Sequence, residues 1–217
     1  MFQEGQLKSL GVAVGLILLN IGVMWVFAFT PLSGVNDLLF GTFFFLGVIV
    51  YGAMLTGGQW IARKGIRSDD TGKAVIGTGI VQLAYGMFGA GILGFLSVST
   101  QALALEITAA ATSLIALVCG LLVFGTDHDF SNWDRYATYL FLGVMGISLI
   151  GSFSAPFILL AFVLAILGFI AYLIHQIYIT KTRPGRAFLN GIGLYVAYMG
   201  VFVQILQIVV RMLIERE

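Results

Sequence analysis

The longest stretch without a charged residue constrains the fold of this chain more than any other feature. Residues 136–180 contain no Asp, Glu, Lys or Arg. As one helix, these about 45 residues would extend over roughly 67 Å. Because the hydrocarbon core of a bilayer is only about 30 Å thick, the stretch must turn back once. We expect the turn at 151–156, since Pro156 suits the first turn of a new helix.

Composition places the whole chain in a membrane. Of its 217 residues 59% are hydrophobic and 10% are charged, and the mean hydropathy is +1.03. Soluble domains are about 25% charged, so a soluble enzyme is excluded. Eleven Lys and Arg against ten Asp and Glu leave a net charge of +1, which also argues against nucleic acid as a partner. The apolar runs are continuous rather than alternating, so they predict an all-α integral membrane protein and not a barrel.

A membrane span needs about 20 apolar residues, and seven such segments occur. They leave only short loops, so we expect a single seven-helix domain over residues 1–217, with the lipid bilayer as its main partner. The predicted spans are 10–30, 38–58, 75–96, 104–124, 137–153, 157–179 and 189–213.

The Lys and Arg residues predict the orientation, because they gather on the cytoplasmic side of membrane proteins. Nine of the eleven fall on one side of a seven-span arrangement. The N-terminus is therefore expected in the cytoplasm and the C-terminus on the opposite side. Minimal loops and the lack of an organelle signal favour a prokaryotic cell membrane.

Small residues at four-residue spacing predict where helices pack closely, because they let backbones approach. The first span carries Gly11 and Gly15, and the third and fourth spans have comparable sets. These sets are Gly86, Ala90 and Gly94, and Thr112, Ala116 and Gly120.

The last span carries a polar stripe that predicts a central position. Its residues follow a spacing of three and four and share one helix face. Amides and a guanidinium facing lipid would be costly, so the stripe is expected to face protein or a water-filled cavity. A matching stripe on the sixth span ends at His175. The last-span stripe consists of Asn190, Gly193, Ala197, Gly200, Gln204, Gln207 and Arg211.

Several segments, in order, resemble the Bax inhibitor-1 superfamily. Residues 125–132 (GTDHDFSN) are followed by 139–146 (YLFLGVMG), and 193–206 (GLYVAYMGVFVQIL) is similar to that family's final helix. Residues 103–106 (LALE) also resemble it. The resemblance implies seven helices with the last one at the core. It further implies a calcium leak across the membrane, or contacts with other membrane proteins such as a protease.

The sequence departs from that family at two positions. The family commonly has paired aspartates in its sixth and seventh helices, which are thought to sense protons and gate the pore. The matching positions here are Leu173, after Tyr172, and Ala197, after Tyr195 and Val196. Neither can titrate, so the acid-gated mechanism does not carry over intact.

Five residues remain as candidates for a pore or gate: Glu106, His175, Gln204, Gln207 and Arg211. Glu106 is either an interfacial residue favoured by the helix dipole or a cation ligand at the outer mouth. It is a candidate ion-pair partner of Arg211. His175 is either an interfacial histidine bonded to backbone or water, or a replacement proton sensor.

Enzyme motifs are missing, and the sequence indicates neither a metal site nor a cofactor. The adjacent Asp127, His128 and Asp129 are expected in a solvated loop, because neighbouring residues make poor ligand geometry. Three hypotheses follow: a leak channel for calcium or another cation, a non-conducting regulator that binds other membrane proteins, and a small-solute permease. An internal repeat would favour the permease, and we see none.

Overall fold

A computed structural model describes residues 3–30, 34, 44–151 and 155–215. Within these residues the chain forms seven helices and no strand. A short 3-10 turn, Pro184–Arg186, precedes the last helix. The helices are α1 (Glu4–Phe29), α2 (Phe44–Ser68), α3 (Thr71–Leu93), α4 (Val98–Gly125), α5 (Trp133–Gly151), α6 (Ala155–Thr182) and α7 (Ala187–Ile214).

Five of these helices are long and apolar enough to cross a membrane, which indicates a membrane protein. They are α1, α3, α4, α6 and α7. The charge-free stretch is divided between α5 and α6, as its length requires. Pro156 is the second residue of α6, and the rest of the predicted turn, at 152–154, lies outside the described residues.

Helix α2 is longer than the predicted second span at its carboxyl end. The span was predicted to end at residue 58, and α2 continues to Ser68. The last turns of α2 therefore carry Arg63, Lys64 and Arg67. Long basic side chains are tolerated in the last turns of such a helix, since their stems pack on apolar surface while their charges reach water.

Four chain segments meet at one end of the bundle, which we call the basic end. The Gln6 amide nitrogen donates to the Lys181 carbonyl oxygen at 3.2 Å, and the Lys181 ammonium donates to the Val123 carbonyl at 2.8 Å. Arg186 pairs with Asp69 at 3.7 Å. The basic end carries nine of the eleven Lys and Arg residues: Lys8, Arg63, Lys64, Arg67, Lys73, Arg135, Lys181, Arg183 and Arg186.

Helix α7 is central among the described helices, as its polar stripe predicts. It contacts α1, α2, α3, α4 and α6. Between residues 189 and 203 only Tyr198 is not fully buried. The contact with α6 is close, because a Cβ added at Gly200 would overlap the ring of Phe169.

Glycines set the closest helix contacts, but not all of those expected. A Cβ at Gly77 would overlap the Ala62 backbone, and one at Gly86 would overlap Val23. These contacts join α3 to α2 and to α1. The first span differs, because Gly11 and Gly15 are exposed and no atom of the described part of the chain lies within 4 Å of a Cβ added at either.

Candidate functional site

A cavity of about 290 Å³ opens at the basic end, among α2, the start of α5, the end of α6 and the turn into α7. Four arginines and one acidic residue line it. The charged and titratable side chains that line it are Arg63, Arg67, Asp134, His175, Arg183 and Arg186. Its other polar lining residues are buried Tyr172 and Asn190 and half-buried Gln176.

Arg63 is held in a defined position on this wall. Its guanidinium carbon lies 4.7 Å from the centre of the Tyr172 ring, in a cation–π contact. The Nε atom of Arg63 is buried and has no hydrogen-bond partner within the described part of the chain. The side chain therefore combines a fixed orientation with unused donor capacity.

The turn from α6 into α7 positions Arg183 and Arg186 on the cavity wall. The Asn190 amide donates to the Arg183 carbonyl oxygen at 2.8 Å, which closes the turn over the start of α7. Arg186 lies 3.7 Å from Asp69 and donates to the Ile66 carbonyl at 3.4 Å. Both contacts join the turn to the end of α2.

His175 lies on the cavity wall, half-buried, as a backbone-bonded histidine. Its Nδ1 is 3.2 Å from the Phe130 carbonyl oxygen. Because a carbonyl only accepts, this bond requires the proton on Nδ1. This bond agrees with the interpretation of His175 as an interfacial histidine bonded to the backbone. Its role as a proton sensor stays a prediction.

The loop that supplies Phe130 is organised by Asp129. This carboxylate accepts from the Ser131 backbone N–H at 2.8 Å and from its hydroxyl at 3.0 Å. The Ser131 backbone bond, then its hydroxyl and that of Tyr178, lower the pKa of Asp129 below its usual 3.8. The charged carboxylate fixes the loop against α6. Asp127 and His128 are exposed, as expected.

Leu173 and Ala197, at the positions of the family aspartates, lie in the packed interior. Leu173 is 2% exposed and Ala197 is 0% exposed. Both belong to the hydrophobic core of the bundle. The region where the resemblance implies a titrating pair is therefore filled by apolar side chains.

Gln204, Gln207 and Arg211 lie toward the opposite end of α7, away from the basic cavity. The two glutamines are half-buried, and Gln207 donates to the Val203 carbonyl of its own helix at 3.4 Å. Gln207 and Arg211 line a groove of about 750 Å³ between α6 and α7. The side chain of Arg211 is 83% exposed and lies 3.7 Å from Glu215. The last turns of α7 face the first turns of α6 across this groove.

Glu106 lies on the exposed face of α4, between its second and third turns. Among the described residues it forms no ion pair with Arg211, whose partner is Glu215. The predicted residues thus do not form one site: His175 lies in the cavity, Gln207 and Arg211 in the α6–α7 groove, and Glu106 on the exposed surface of α4.

The convergence of Arg63, Arg67, Arg183 and Arg186 on one cavity was not predicted from the sequence, because nothing in the spacing of residues 63 and 183 indicates that they line the same wall. Among the described residues, no group of three or more His, Cys, Asp and Glu side chains is placed to hold a metal ion.

Comparisons with protein-family models, with curated proteins and with solved structures gave no match for this chain. The relation to the Bax inhibitor-1 superfamily therefore stays a resemblance in sequence.

Proposed function

We propose that this chain is a Bax inhibitor-1-like protein of seven membrane spans that conducts no calcium and regulates other membrane proteins by binding them. In this proposal the basic end, with the N-terminus, faces the cytoplasm, and the membrane is that of a prokaryotic cell. The proposal assigns no reaction and no cofactor to the chain.

The packed interior at Leu173 and Ala197 is the observation that carries the proposal. A calcium pathway needs oxygen ligands, most often carboxylates, to replace the water around the ion. The two positions where the resemblance expects carboxylates are apolar and buried. The cavity at the basic end would also repel a cation, since four arginines face one carboxylate, Asp134.

A small-residue face that no described residue covers supports the binding part of the proposal. Gly11 and Gly15 of α1 are exposed, and no atom of the described residues lies within 4 Å of a Cβ added at either. In lipid such a face favours close approach of a second helix. A membrane-spanning helix of another protein would fit there.

A cation leak is the second candidate, favoured by the polar residues at the far end of α7. Gln207 and Arg211 line an open groove between α6 and α7, and Gln204 is half-buried one turn before them. Amide oxygens are acceptable cation ligands. This route would need to pass the apolar layer at Leu173 and Ala197.

Calcium flux into proteoliposomes separates the two candidates. We expect the wild-type protein to give no flux above that of empty liposomes at any pH between about 5 and 8, the range in which a histidine or a carboxylate pair titrates. The double variant Leu173→Asp with Ala197→Asp restores the family's residues, and Leu173→Asn with Ala197→Asn is its non-titrating control. A pH-dependent calcium flux in the wild-type protein would establish the leak instead.

A further inference from the structure

The cavity at the basic end has the charge of an anion site. Four guanidinium groups and one carboxylate line it, with His175 beside them. Among the described residues, no carboxylate lies within 4.0 Å of the side-chain nitrogens of Arg63, Arg67 or Arg183. The positive charge in the cavity is therefore largely uncompensated by the protein itself.

Membrane topology alone does not account for this arrangement. Orientation requires only that basic residues lie close to the ends of the spans on one side, and exposed Lys64 and Lys73, in the end turns of α2 and α3, satisfy that requirement. The arginines instead converge on a concave wall from α2 and from the turn before α7, which are about 120 residues apart in sequence.

Arg63 gives the site a preorganised donor. The ring of Tyr172 fixes its guanidinium, and its Nε is buried without a hydrogen-bond partner among the described residues. Because this Nε has no exposed surface, an anion in the cavity would bind the terminal Nη groups of the guanidinium, and bonds to an anion are among the strongest that they can make. The planar fork of an arginine matches the oxygens of a phosphate group.

We propose that this cavity binds a phosphate group, carried either by an anionic lipid headgroup or by a soluble phosphate compound. A volume of about 290 Å³ is several times the roughly 30 Å³ that a water molecule occupies, and it therefore holds a phosphate with part of its substituent. The cavity lies where the helices end, at the level expected for lipid headgroups. The proposed phosphate site is independent of whether the protein conducts calcium, because phosphate binding and calcium flux are measured separately.

Two arms of one experiment distinguish the sources of the phosphate. In the first, inorganic phosphate is titrated into the full-length protein in a non-ionic detergent, with chloride keeping the ionic strength constant, and heat of binding is measured. In the second, the protein is placed in phosphatidylcholine nanodiscs with or without phosphatidic acid, and retained lipid is counted by native mass spectrometry.

The variants test whether the cavity is the site. Arg63→Gln and Arg183→Gln each remove one cavity arginine, and we expect either to weaken binding about tenfold or more, as for loss of a charged hydrogen bond. Lys64→Gln removes a neighbouring charge that lies over Trp60, 5.0 Å from its ring centre, outside the cavity. We expect this control to change affinity less than twofold.

The outcomes are decisive in each arm. Binding of inorganic phosphate with these variant effects supports a soluble ligand, and retention of phosphatidic acid alone supports a lipid headgroup. Binding in neither arm overturns the proposal, and so does an equal loss in Lys64→Gln, which would indicate diffuse surface charge. If Arg63→Gln does not fold, Arg183→Gln and Arg67→Gln carry the same comparison.

Discussion

The guanidinium of Arg63 lies over the ring of Tyr172, and the contact joins the end of α2 to α6 at 4.7 Å. Tyr172 is 5% exposed, so the pair is largely shielded from water, where a cation–π contact is strongest. Helix α2 packs mainly on α3. Together with the contacts of Arg186 to Asp69 and to the Ile66 carbonyl, this pair holds the basic end of the α2–α3 hairpin against α6 and the turn into α7.

The first prediction concerns that pair. Tyr172→Leu should lower the free energy of unfolding by about 0.5–2 kcal/mol, because it removes the aromatic face, whereas Tyr172→Phe should retain most of the contact. Thermal unfolding in detergent, followed by circular dichroism, measures both. In an Arg63→Gln background the effect of Tyr172→Leu should shrink. Fully additive effects would mean that the two residues are not coupled.

Much of the fold is predictable from the sequence, because lipid allows few alternatives to helices. The charge-free stretch at 136–180 requires two helices, and α5 and α6 are found there. The stripe that ends at Arg211 predicts a central α7, which the burial of residues 189–203 confirms.

The site was not predictable in the same way. Spacing along one helix tells which residues share a face, but not whether another helix covers that face. Within the described residues, Gly11 and Gly15 share a face that no other helix covers, and the side chain of Arg211, at the end of the α7 stripe, is exposed. The cavity needs Arg63 and Arg183 to be neighbours, and only the tertiary fold supplies that information.

The second prediction tests the α2–α3 contact. Gly77→Ala should destabilise the protein by about 1–3 kcal/mol, because its Cβ would overlap the Ala62 backbone and the two helices would have to separate. Gly79→Ala, two residues further on α3, is the control. It has open space around the added Cβ and should be neutral or slightly stabilising. A similar loss of stability in both variants would show that helix contact is not the cause.

The third prediction concerns a buried polar link between α1 and α3. The Asn20 amide donates to the Gln82 carbonyl oxygen at 2.8 Å, and the Gln82 amide donates to the Leu16 carbonyl at 3.2 Å. Asn20→Ala should lower the free energy of unfolding by about 0.5–2 kcal/mol, the range for interhelical hydrogen bonds in membranes. Leu19→Ala, on the exposed side of α1, should leave it nearly unchanged. Equal effects would mean that packing, and not the hydrogen bonds, stabilises this interface.

The fourth prediction is a pH dependence that originates at the start of α3. Asp70 is its N-cap and accepts from the Lys73 ammonium at 2.6 Å and from the Lys73 backbone N–H at 3.0 Å. These bonds, the ammonium first, lower the pKa of Asp70 below its usual 3.8. A carboxyl whose pKa falls on folding stabilises the protein above its unfolded pKa, and this contribution disappears as the pH falls through the folded pKa.

Unfolding temperatures measured across acidic pH should therefore separate the wild-type protein from Asp70→Asn. Above the unfolded pKa of about 3.8 the wild-type protein should be more stable than the variant. This difference in stability should vanish as the pH falls through the lower pKa that Asp70 has in the folded protein. Asparagine still caps the helix but cannot titrate, so the variant isolates the charge. Asp127→Asn, in the exposed loop after α4, is the control for loss of one negative charge. If both variants follow the same curve, the effect belongs to net charge and not to the Asp70 cap.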